Sequence, residues 1–85
     1  MKQIVNFLYR DGNNYKFPFV RVVEVKEPLK PEDEVDYEHL GIGRDEFHEE
    51  IVGYPYDDQS DHSLLEVVDV MPADDGTPID LVYLP

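Results

Sequence analysis

The sequence predicts an α+β fold: a small antiparallel sheet in β-β-α-β-β order with one short helix packed on one face. Three observations predict it. Two apolar runs near the N-terminus, joined by an Asp-Gly turn, have the period-two alternation of a hairpin. One segment, residues 44–52, carries helix start and stop residues. A third apolar run and a short terminal one supply two further strands.

The elements follow in order. In QIVNFLYR, residues 3–10, Val5, Phe7 and Tyr9 fall on one face and Ile4, Asn6, Leu8 and Arg10 on the other, which is strand patterning. DGNN at 11–14 is a turn, because glycine takes positive φ freely and asparagine tolerates it. YKFPFVRVVEVK, 15–26, is β-branched and aromatic, and Pro18, which has no N–H to donate, places this strand at an edge or a bulge there. EPLKPEDEVDYE, 27–38, holds Pro28, Pro31 and six acids and reads as a loop with at most one turn of helix. After the tight connection HLGIG, 39–43, the segment RDEFHEEIV, 44–52, has Asp45 and Glu46 in its first turn, Gly53 after its last residue and Pro55 beyond. Phe47 and Ile51, at i and i+4, would face the sheet. SLLEVVDVMP, 63–72, is apolar on both faces except at Glu66 and Asp69, as suits a central or bulged strand. ADDGTP, 73–78, is a turn, and IDLVYL, 79–84, a short fourth strand.

With 85 residues the chain reads as a single small acidic domain, 1–85, with little room for a deep substrate pocket. It has no cysteine, which excludes disulfides, thiolate nucleophiles and zinc-thiolate sites and fits a reducing cytoplasm. Its apolar runs are too short and too polar for a leader or a membrane span. The net charge of −13 is unevenly placed. Residues 1–26 carry five cations against two acids, a net of +3, whereas the rest carry two cations against eighteen acids, a net of −16. Such a field repels phosphates and anionic membranes and attracts basic surfaces, so direct nucleic-acid and membrane binding are disfavoured.

EFHEEIVGYPYDDQSDH, 46–62, gathers two of the three histidines among carboxylates. A metal site would draw on His39, His48, His62, Glu49, Asp57, Asp58 and Asp61, but no histidine pair has the i, i+4 spacing of a helical site. On a helical wheel His48 falls between Ile51 and Val52 on the apolar side, which favours a packed histidine over a ligand. DDQSDH resembles the start of a calcium loop but puts His62 and Val68 where that loop needs glycine and glutamate. Asp61, His62 and Ser63 are contiguous, so on a strand they point to opposite faces and cannot form a triad. No cofactor is called for, and an enzyme is not the expected class.

FLYRDGNNYK, 7–16, and DEFHEEIVGYPYDDQSDHSLLEV, 45–67, resemble a small bacterial protein family that shares an aromatic-Arg-Asp-Gly-x-Asn-Tyr-Lys hairpin and a Gly-Tyr-Pro-Tyr-Asp segment before a strand. The resemblance implies a folded cytoplasmic domain and supplies no activity. The expected function is a non-enzymatic interaction module or inhibitor that binds a basic protein surface, presenting carboxylates in place of nucleic-acid phosphates. Its expected contact residues are Glu46, Glu49, Glu50, Tyr54, Tyr56, Asp57, Asp58 and Asp61, aromatic anchors with a charged rim. Two other classes stay open: a homodimer or larger homo-oligomer formed through sheet edges, and a metal-binding protein or metal-dependent enzyme using His48, His62 and nearby carboxylates.

Overall fold

The computed structural model describes residues 1–10, 16–41, 49 and 64–84. Strand β1, Lys2–Arg10, and strand β2, Lys16–Glu24, form the expected antiparallel hairpin, with Phe7 opposite Phe19 and Tyr9 opposite Phe17. Strand β3 is Glu34–Asp36, followed by a 3-10 turn at Tyr37–Leu40; strand β4 is Leu64–Pro72 and strand β5 is Leu81–Val82. The sheet order is β3-β4-β1-β2-β5.

This corrects the expected α+β class. The described residues form a mostly β, mixed, five-stranded sheet, and among them no helix reaches seven residues. The helix expected over 44–52 lies outside the described residues, apart from Glu49, which is helical and exposed. The expected antiparallel four-strand order also changes. Val35 of β3 is pulled into the core and pairs with Leu65, so a single apolar residue between two acids becomes a strand through tertiary pairing rather than local pattern. The last strand runs parallel to β2, Val23 opposite Leu81. Both β4 and β5 meet the sheet at the end marked by Lys2 and Glu24, so the connection 73–80 only has to pass that end. Lys2 Nζ holds it there, donating to the carbonyls of Asp75 and Thr77.

The sheet curls until its two flanks approach each other. Leu84 N–H donates to the His39 carbonyl at 2.7 Å, joining the segment after β5 to the 3-10 turn after β3. Asp36 caps that turn with its side chain, and Gly41 ends it at φ 74, a left-handed conformation that glycine takes without a Cβ penalty. Inside the curl lie Val5, Phe7, Tyr9, Val23, Val35, Leu65 and Val67, closed off by Val25, Leu29 and Leu40. Each large side chain here contributes roughly 1.5–3 kcal/mol by leaving water, and the Phe7 and Phe19 rings stack at 5.1 Å. The pairing of β1 with β4 shifts between Asn6 and Phe7, leaving Val68 as an extra residue. β4 is thus both central and bulged, as its two-sided apolar pattern implied.

One buried polar side chain stands among these apolar ones. Gln3 accepts from Leu29 N–H at 2.9 Å and donates to the Leu29 carbonyl at 3.2 Å, acting as a substitute strand for a loop residue whose backbone would otherwise be buried unpaired. Gln3→Leu keeps the volume and leaves both Leu29 groups without a partner. Urea unfolding should show a loss of about 1–3 kcal/mol; an unchanged midpoint would mean that water satisfies Leu29.

Candidate protein-interaction surface

Of the eight residues expected to contact a partner, only Glu49 is described, and it is exposed. Glu46, Glu50, Tyr54, Tyr56, Asp57, Asp58 and Asp61 lie outside the described residues, as do His48 and His62. His39 lies on the 3-10 turn, exposed, with its ring 6.4 Å from that of Tyr83. Among the described residues no three histidine or carboxylate side chains converge as a metal site would require, and no helix is long and apolar enough to cross a membrane.

What the described residues do present is a second acidic stretch, in the 27–38 segment read above as a loop. Its carboxylates divide by task. Asp33 accepts from Lys30 N–H at 2.9 Å and Asp36 from Glu38 N–H at 3.0 Å, so these two are half-buried turn and cap residues. Glu27, Glu32, Glu34 and Glu38 are exposed. The segment is held to β4 on both sides of its turn, Glu32 N–H donating to Val67 and Val67 N–H to Asp33, each at 2.8 Å. Glu32 sits at φ 75, a left-handed conformation costly for a residue with a Cβ. Asp74 and Asp75 form a further exposed pair beside β1, whereas Asp80 accepts from Val22 N–H at 2.8 Å.

The described cations do not neutralise these acids. Lys2 is spent on backbone carbonyls, and Arg21 Nη1 donates to the Val20 carbonyl at 2.8 Å with its guanidinium 5.4 Å from the Phe19 ring centroid. Lys16, Lys26 and Lys30 are exposed. The Met1 amine pairs with Glu24 at 3.3 Å. Among the described residues Glu27, Glu32, Glu34 and Glu38 have no cation paired with them.

The sheet edges are blunt. Val22 and Glu24 turn their backbone groups toward 80–83, so by alternation Pro18 and Val20 turn theirs to the same side, beyond the end of β5. There Pro18 offers no N–H, and the Val20 carbonyl is taken by Arg21. At the other flank β3 is only three residues long. No family model, curated protein or solved structure matches the chain.

Two predictions follow from this geometry. Glu32→Gly should raise stability in urea unfolding by up to about 1 kcal/mol, and Glu32→Val, β-branched at positive φ, should lower it by about 1–2 kcal/mol; equal effects would contradict the left-handed turn. The double change Pro18→Thr and Arg21→Thr restores a row of edge donors and acceptors, so sedimentation should show self-association absent from the parent. A double variant that sediments like the parent would show that these two residues do not guard the edge.

Proposed function

We propose that this protein is a non-enzymatic acidic interaction module, one that binds a basic protein surface and occupies it with carboxylates in place of nucleic-acid phosphates. The observation that carries the reading is that, among the described residues, the exposed carboxylates of Glu27, Glu32, Glu34 and Glu38 have no cationic partner. An acidic surface retained for solubility alone needs no fixed shape. Here the 27–38 carboxylates are held on a backbone anchored to β4 and to Gln3, with one residue kept in a costly conformation, and a rigid charged surface loses little freedom on binding. Glu46, Glu49, Glu50, Tyr54, Tyr56, Asp57, Asp58 and Asp61 are proposed as further contact residues, with the tyrosines as anchors. A cytoplasmic setting suits the cysteine-free composition. The blunt edges weigh against assembly through strand pairing.

Capture from lysate of the source cells with salt-gradient elution tests this, using the parent chain and two neutralised variants, Asp57→Asn/Asp58→Asn/Asp61→Asn and Glu32→Gln/Glu34→Gln/Glu38→Gln. The expected partner is a basic protein released as salt screens the contact over a Debye length of about 8–10 Å, with retention weakened in at least one variant. Retention that is independent of salt and equal in all three chains would contradict the proposal.

A further inference from the structure

The outer face of the sheet is apolar over β1 and β2, apart from Asn6, where a solvated sheet face is ordinarily polar. Register lays it out in three cross-strand rows: Met71, Ile4 and Val22; Asp69, Asn6 and Val20; Glu66, Leu8 and Pro18, with Glu34 beyond Glu66. An apolar field over β1 and β2 thus borders a line of carboxylates on β4 and β3. Val20, Val68 and Met71 are 50%, 52% and 52% exposed, and Ile4, Leu8 and Val22 are only half-buried. The bulge adds relief to this face. Val68, with Asn6, Pro18, Val20 and Asp69, borders a concavity of about 330 Å³, at the small end of the range that holds an apolar group. One Asp69 oxygen accepts from Val70 N–H at 2.9 Å, which fixes the carboxylate at the rim.

We infer that this outer face docks a basic, amphipathic segment of a partner protein, with an apolar side chain seated in the concavity at the bulge and lysine or arginine side chains over the exposed carboxylates of Asp69 and Glu34. The inference rests on the reading that the partner is basic, and adds where and how it is gripped. Charge complementarity selects the occupant. A second copy would bring another net charge of −13 against the first, whereas a basic segment is drawn to the carboxylate line and covers the apolar field beside it. Apolar contact supplies the hold, and the carboxylates set the orientation.

Calorimetric and NMR titration with two synthetic peptides of equal length and charge tests it: one of lysine and leucine with the leucines along one side, the other with serine in place of leucine. The lysine-leucine peptide should bind about tenfold more tightly and shift the amides of Asn6, Val20, Val68 and Asp69. Val68→Asp and Val20→Asp should weaken it about tenfold even though each adds negative charge, with native folding checked by urea unfolding. Met71→Asp, at the corner of the same face, serves where either of these fails to fold. Equal binding of the two peptides, or unweakened binding by the aspartate variants, would overturn the docking site and leave the acidic-module reading standing. Self-association of the parent chain that Val68→Asp abolishes would assign the face to a second copy and also overturn it. Absence of salt-sensitive binding by either peptide would defeat both readings.

Discussion

The side-chain alternation of Lys2–Arg10 constrains the rest of the molecule, because this strand is hydrogen-bonded on both sides. Whatever face a β1 residue takes, its partners on β2 and β4 must take too. Val5, Phe7 and Tyr9 turn inward and carry Phe19, Phe17, Val67 and Leu65 with them. Ile4, Asn6 and Leu8 turn outward and produce the partly apolar outer face. A slip of one residue would exchange the two faces, and the bulge at Val68 is the one place where β4 departs from strict alternation with β1.

Electrostatics is organised differently from packing. A chain with seven cations and twenty acids cannot balance itself, yet it could have placed its cations against its acids. Among the described residues Lys2 ties down the connection 73–80 through carbonyls, and Arg21 covers an edge carbonyl and an aromatic ring. Asp33, Asp36, Asp69 and Asp80 likewise serve backbone N–H groups. Asp33, Asp36 and Asp69 reach nearby backbone because their side chains are short, whereas the longer glutamates of 27–38 project from it.

The hairpin, the shared face of Val5, Phe7 and Tyr9 and the central, bulged nature of β4 were legible in the sequence, since each follows from period-two pattern, and Pro18's missing donor marked the stretch of β2 that lies beyond β5. The rest depended on tertiary pairing. Glu34-Val35-Asp36 holds a single apolar residue between acids and becomes a strand only because Val35 meets Leu65. The parallel pairing of β5 comes from the route of 73–80 past Lys2, and no periodicity announces a route. Gln3 stands in line with Val5, Phe7 and Tyr9 on the inward face, and that position was the available clue to its buried role. Of the expected contact set, Glu49 alone falls within the described residues, and the exposed glutamates of 27–38 were passed over because acidic, proline-containing segments read as solvated loop.

The central claim is that, among the described residues, the exposed glutamates of 27–38 are left uncompensated and are therefore free for a partner. The urea midpoint of the parent chain at pH 7, measured as sodium chloride rises from about 10 mM to about 300 mM, tests it most directly, because the Debye length falls over that range from about 30 Å to under 10 Å. Uncompensated carboxylates repel one another more in the compact state than in the unfolded chain, so the account predicts a midpoint that climbs steadily with salt. A midpoint that falls as salt is added would show that internal ion pairs dominate and would contradict it.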